Sequence, residues 1–148
     1  MKALVQRVRQ ASVTIENKIY SEIKQGFLVL LGVEKNDSEA EAVYLANKVA
    51  ALRVFEDEQG KMNLSVRDIG GSLLVVSQFT LAGDTSRGNR PGFETAARPE
   101  TALPLYEFFV QELKNKGLPV ATGVFQADMQ VALVNDGPVT FMLEKHCG

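Results

Sequence analysis

The chain holds one histidine, one cysteine and no tryptophan in 148 residues. A lone Cys147 excludes a disulfide within the chain and fits a reducing compartment. A lone His146, distant in sequence from every candidate hydroxyl, excludes a Ser-His-Asp or Cys-His-Asn triad. His146 and Cys147 are neighbours near the C-terminus, where chains fray and adjacent side chains seldom converge, so they read as a solvated tail. There is no CxxC, no HExxH and no cluster of carboxylates, and Gly70-Gly71 lacks the spacing and the lysine of a phosphate loop. Neither a metal nor a cofactor is expected. Sixteen Lys and Arg against 18 Asp and Glu give a net charge of −2, which argues against a broad grip on a nucleic-acid backbone but not against holding an RNA end. The start, Met1 to Arg7, has no sustained apolar stretch and does not read as a signal peptide. No apolar run approaches the ~20 residues that span a membrane. A cytoplasmic protein is expected.

What is present describes an ordinary core. Hydrophobic residues make up 45% and charged residues 23%, as in soluble globular proteins, and a chain of this length buries a real core as one domain, residues 1–148. Residues 3–8, 12–15 and 18–23 read as short strands, with Glu16-Asn17 as a hairpin-like turn. Phe27 to Val33 is a nearly unbroken apolar run, the pattern of a strand buried on both faces. Ser38 with Glu41 forms a capping box, and Val43, Ala46, Val49 and Ala50 follow at helical spacing, so a helix is expected over about 39–52. Residues 72 to about 81 read as a strand, 82–98 as an aperiodic loop holding Arg87, Arg90 and Arg98, and about 99–116 as a second helix. Pro99 suits a first helical position and Gly117 a terminator. Pro104 either kinks the first turn or moves the start to Thr101. Residues 120–123, 128–134 and 139–144 complete the strands. The sum is an α/β single-domain layered fold, in which the second helix can cross over between strands of a mixed β-sheet.

Two stretches break local rules. Ser77-Gln78-Phe79-Thr80-Leu81 follows the apolar Leu73 to Val76, and Asn135-Asp136-Gly137-Pro138-Val139-Thr140 follows Val131 to Val134. Burying a hydroxyl or amide without a partner costs about 1–3 kcal/mol, and a proline in a strand deletes a ladder hydrogen bond. Such departures are candidate sites. Each also has a plain reading. Alternation makes the first a strand with Ser77, Phe79 and Leu81 on one side and Gln78 and Thr80 on the other. The second has the composition of a hairpin turn.

Together, about 60 residues apart, the two motifs resemble the D-aminoacyl-tRNA deacylases of the bacterial type. The likeness extends through Gln6-Arg7-Val8, Ala11-Ser12-Val13, Gly26 to Val33, Lys61-Met62-Asn63, Gly70-Gly71, Arg90-Pro91 with Phe93, and Leu105-Tyr106. Gly92 departs from it, since the family usually carries serine there. The resemblance implies a proofreading hydrolase acting on the aminoacyl ester at the 3′ acceptor end of tRNA, including glycine mischarged on tRNA-Ala. It implies the same single-domain layered fold, a mixed, barrel-like β-sheet with two helices on one face, and a homodimer with active sites at the interface. Ser77 and Gln78 would orient the ester, Phe79 would stack on the terminal adenine and Thr80 would shape the pocket. A cis Gly137-Pro138 bond would reject L-amino acids through its carbonyls. Arg7, Asn135, Val139 and Thr140 would support that motif; for Arg7 a solvated strand-edge charge is an equal alternative.

The missing triad fits such a substrate. An aminoacyl ester is already activated and its ribose carries an assisting hydroxyl, so main-chain donors from the first motif can supply the oxyanion contact, each worth roughly 3–4 kcal/mol where tested. Thr80 as nucleophile is the opposing view, and a small-ester hydrolase labelled at Thr80 or Ser77 is its extension. A non-catalytic module that binds an RNA end or a small ligand on the same fold is the alternative from another class.

Overall fold

The computed structural model describes residues 1–147. In chain order the elements are β1 (Lys2–Ile15), β2 (Lys18–Ile23), β3 (Gly26–Gly32), α1 (Glu39–Ala51), β4 (Phe55–Glu56), β5 (Met62–Leu64), β6 (Ser72–Ser77), a 3-10 turn (Phe79–Ala82), α2 (Pro99–Asn115), β7 (Val120–Thr122) and β8 (Gln130–Glu144). The main sheet runs β2-β1-β3-β6-β7, with β8 pairing β1, and β4-β5 form a separate ribbon. Strand β3 pairs β6 in parallel, and β6 pairs β7 in parallel. Each parallel step requires a crossover, and α1 and α2 supply them. Crossovers share one hand. Two taken in the same direction across a sheet therefore leave both helices on one face, as the resemblance implies.

That arrangement makes two cores. Phe27, Val29 and Leu31 of β3 and Leu73 and Val75 of β6 pack beneath α1 and α2, against Leu45, Val49, Phe109 and Leu113. The alternate residues Leu28, Leu74 and Val76 point the other way, to Val8, Ala11, Val13 and Ile23. The apolar run of β3 is thus buried on both faces. Ser21 Oγ of β2 donates to the Thr122 carbonyl of β7 at 2.7 Å, which brings the outer strands together and curls the sheet toward a barrel around the second core.

The ends of the elements follow their sequence signals. Glu16 and Asn17 take positive φ values of 51° and 64°, the geometry of a two-residue hairpin turn. Ser38 caps α1, and Glu41 Oε1 accepts from the Ser38 amide at 2.7 Å and from its hydroxyl at 2.9 Å. These bonds hold the Glu41 carboxyl below its ordinary range. Helix α2 begins at Pro99 and runs through Pro104 without restarting at Thr101. Pro104 gives up an amide bond there, while the Thr101 and Ala102 amides close the first turn onto the Arg98 carbonyl. Tyr106 sits deep beside β6, where burial pushes its phenol up in pKa and its hydroxyl donates to the Val75 carbonyl at 2.7 Å.

Three expectations are corrected. Residues 3–8 and 12–15 are one strand, β1, because β8 spans both segments and holds them in a single ladder. The strands expected over 128–134 and 139–144 are likewise one strand, β8, which begins at Gln130, and the Asn-Asp-Gly-Pro stretch is a bulge inside it, not a turn between strands. The strand expected to reach about residue 81 ends at Ser77 and winds into the 3-10 turn.

Ser38→Ala removes the cap and should destabilise the fold by about 1 kcal/mol, read by urea denaturation. Because the folded pKa of Glu41 lies below its unfolded value, its contribution is present at neutral pH and is lost as pH falls through the folded pKa. The variant's deficit should therefore shrink in acid.

Candidate functional site

The first motif changes conformation at its middle. Ser77 completes the β6 ladder opposite Leu31, and the Gln78 amide donates to the Leu31 carbonyl at 2.8 Å. The chain then turns: the Leu81 amide reaches back to Gln78 and the Gly83 amide to Thr80. The strict alternation expected across residues 77–81 is lost because the ladder stops. The turn leaves the amides of Phe79 and Thr80 with no acceptor among the described residues, as the opening residues of any helical turn do. Gln78 Nε2 donates to Thr80 Oγ1 at 3.0 Å, fixing both side chains at the surface.

Ser77, Gln78, Phe79 and Thr80 together form one wall of a cavity of about 930 Å³. The start of α2 contributes Pro99 and Ala102. The opposite wall is Phe125, Gln126, Ala127, Asp128 and Met129, the segment between β7 and β8. Sequence reasoning missed that wall. Its one signal is the break between two strand patterns, and its shape depends on Gln126 at φ 67°, a left-handed geometry that nothing in a glutamine announces. Phe125 is held by Tyr106, ring centroids 6.1 Å apart. No histidine or cysteine lines the cavity, and Asp128 is its one ionisable lining side chain. His146 lies elsewhere, its Nε2 3.3 Å from Glu144 Oε2 and its Nδ1 3.8 Å from Glu34 Oε1.

The second motif forms a separate cluster. Gln6 of β1 pairs with Thr140, and Val8 pairs with Asn135. Arg7 alone therefore faces four residues of β8, Asp136 to Val139. The Gly137-Pro138 bond is cis. Asn135 bridges the base of the bulge: its Oδ1 accepts from the Val139 amide and its Nδ2 donates to Thr140 Oγ1, both at 2.8 Å. Arg7, 7% exposed, lies under the bulge. Its Nε donates to the Asp136 carbonyl at 2.9 Å and its Nη1 to the Val54 carbonyl at 2.7 Å. The solvated strand-edge charge is thus not what Arg7 is. Gly137 is required where it stands: φ is 137°, and a Cβ there would meet Val139 Cγ2 at 2.7 Å and Arg7 Nη2 at 3.1 Å. Gly137 and Pro138 are exposed, Val139 is buried, and none of residues 135–140 lines the cavity of its own chain.

Gly92 is also outside the cavity lining. It pairs with Asp84 across a small hairpin, and a side chain added there meets nothing within 4 Å. The serine usual at this place would stand in open space on a single chain.

Replacing Arg7 by alanine strands two carbonyls, one buried, that now bond a charged donor. Hydrogen bonds to charged groups are worth about 1.5–3 kcal/mol. A loss of stability of about 2–3 kcal/mol is expected by denaturant unfolding.

Comparisons with known proteins agree over nearly the whole chain. The family model for D-Tyr-tRNA(Tyr) deacylase matches residues 4–144. A D-aminoacyl-tRNA deacylase of Pelobacter propionicus is 61% identical over 145 residues, covering 98% of this chain and all of the relative. Among solved structures, a c-Myc DNA unwinding element binding protein superposes with a TM-score of 0.93 at 43% identity, covering 99% of this chain and all of that one. A probable eukaryotic D-amino acid tRNA deacylase superposes at 0.80 with 15% identity, covering 96% and 97%, which bears on the fold alone. With a family model spanning β1 to β8 and a full-length relative at this identity, the chain belongs to the D-Tyr-tRNA(Tyr) deacylase family.

Proposed function

We propose that the protein hydrolyses the ester of D-aminoacyl-tRNA, releasing tRNA and the D-amino acid, as a proofreading enzyme of the cytoplasm. The observation that carries this reading, beside family membership, is the wall formed by Ser77 to Thr80: two unengaged main-chain amides, a positioned amide–hydroxyl pair and, among the described residues, no general base hydrogen-bonded to the Thr80 hydroxyl. A threonine hydroxyl is a weak nucleophile without such a base. Water is then the nucleophile. It attacks the ester carbon, the carbonyl oxygen takes up charge against the Phe79 and Thr80 amides, and the ribose oxygen leaves with a proton, assisted by the neighbouring ribose hydroxyl. Ser77 and Gln78 orient the ester, Phe79 stacks on the terminal adenine and Thr80 bounds the pocket.

Selectivity in this reading comes from a second copy of the chain. Two copies pair so that Gly137-Pro138 of each enters the other's cavity, and its carbonyls collide with the side chain of an L-amino acid while admitting D-amino acids and glycine, including glycine mischarged on tRNA-Ala. Three features support it. The motif is exposed, it is absent from its own chain's cavity, and β8 is an edge strand with Val134, Phe141 and Met142 uncovered. Arg7, Asn135, Val139 and Thr140 hold the motif in shape. Neither metal nor cofactor takes part.

One observation favours a second reading, a nucleic-acid-binding module without turnover: the 43%-identical neighbour is named for binding a DNA element. Turnover separates the two. With enzyme at catalytic concentration, D-tyrosyl-tRNA is expected to release its amino acid over many cycles while L-tyrosyl-tRNA is spared. Stoichiometric binding without release would favour the module, and equal release from both would remove the selectivity mechanism. Thr80→Ala decides the nucleophile. Loss of a true nucleophile costs roughly a million-fold in a triad hydrolase, whereas a fall within about tenfold is expected here.

A further inference from the structure

We infer that the hairpin from Asp84 to Gly92 is a phosphate-contacting surface that holds the acceptor stem of the RNA, using Arg87 and Arg90 with Arg98 nearer the cavity. The inference rests on the hydrolase reading for its substrate but on different observations for its residues. The chain has seven arginines. Four are engaged: Arg7 with two carbonyls, Arg9 with Asp136, Arg53 with Asn63, and Arg67 with the Lys116 carbonyl. The other three, Arg87, Arg90 and Arg98, make no hydrogen bond or ion pair among the described residues and all three are exposed. They fall within one stretch of 12 residues. A guanidinium without an internal partner is a rigid fork of donors suited to phosphate.

The backbone around them is built rather than loose. Asp84 and Gly92 exchange both main-chain bonds, at 2.7 and 2.9 Å. The Asp84 carboxylate turns inward to accept the Ser86 amide at 2.9 Å. Residues 85–93 carry both arginines and no carboxylate, while the flanking acids are Asp84, Glu94 and, at the start of α2, Glu100. Phe93 sets its ring edge against Phe79, centroids 5.2 Å apart, so the hairpin is moored to the cavity wall. Arg98 lies between Ala97 and Pro99, both lining residues. An RNA whose 3′ end occupies the cavity carries its next phosphates past this rim. A protein of net charge −2 has little long-range attraction for RNA, so a few unpaired cations beside the cavity matter more than total charge.

The test is Arg87→Glu with Arg90→Glu in the full chain, assayed on D-tyrosyl-tRNA and on the D-tyrosyl ester of adenosine, which has no phosphate. Two phosphate contacts account for roughly a tenfold change in affinity between about 50 and about 200 mM salt. On the tRNA at low salt the variant should lose roughly tenfold or more in kcat/KM, and its salt slope should be shallower by about 2. On the adenosine ester it should match the parent. Arg87→Lys with Arg90→Lys should keep most of the tRNA rate. Equal loss on both substrates, or no loss on tRNA, would overturn the inference. If the parent hydrolyses neither substrate, the proposed reaction fails by itself. Fluorescence anisotropy with uncharged tRNA then still decides the surface, since the variant must bind more weakly and with a lower salt slope.

Discussion

A guanidinium buried where the β1–β8 ladder twice changes register is the constraint on which the rest of this structure turns. Arg7 lies at the point where β1 ceases to pair with β3 and goes on alone with β8 toward β2. Before it, Met1, Ala3 and Val5 face the helical core; after it, Val8, Ala11 and Val13 face the second core. The parity of the strand is reset between Val8 and Gln10, where β1 has two residues against one of β8. Directly beside this lies the four-residue bulge of β8. Two opposed irregularities in one ladder would leave polar groups without partners. Arg7 satisfies carbonyls of both the bulge and the segment after α1, so one side chain ties three parts of the chain and lets a proline sit inside a strand.

The consequence for function is a division of labour. The wall from Ser77 to Thr80 is set by the end of a central parallel strand, which both neighbours hold in register, so the positions of its amides are fixed by the sheet and not by side-chain packing. The bulge is set by an edge strand, free to meet another surface. Under the proposed reading, the fixed wall carries out hydrolysis and the exposed bulge examines chirality. A device that acts through main-chain groups suits a substrate class in which the side chain varies and the amino-acid backbone does not. It also explains why the chain needs so few of the residues usual in hydrolases.

Legibility in the sequence followed locality. The apolar run of β3, the Ser38–Glu41 box and the Glu16-Asn17 turn are each decided by residues within a few positions, and each came out as read. The one-sided placement of both helices came from the family resemblance, and crossover handedness gives its physical reason once the parallel pairings are known. The strand pattern of residues 78–81 misleads because the stop comes from the sheet: the Gln78 amide takes the Leu31 carbonyl of β3 and the chain then turns. The Gly137-Pro138 stretch has the composition of a turn, and only the pairing of residues on both sides of it with β1, far away in sequence, makes it a bulge. The wall from Phe125 to Met129 left no periodic trace at all. Arg7 was ambiguous for the same reason, since its partners lie 47 and 129 residues away.

The distribution of charge follows from the same economy. An arginine bonded within its own chain is less available to a ligand, and four of the seven are engaged in that way, three with main-chain carbonyls and Arg9 with the Asp136 carboxylate. Nine lysines and seven arginines stand against 18 acids, so the net charge of −2 describes the chain as a whole and conceals the arginine-rich rim. For a site that takes only the end of a long polyanion this is a workable arrangement. A broadly basic surface would hold any RNA along its length and slow the departure of the product, while a short rim of unpaired guanidinium groups strengthens binding only when the end is already seated. Under the proposed reading the electrostatics add to recognition of the terminus without competing with it, and weak attraction at a distance is consistent with a cavity that takes an RNA end.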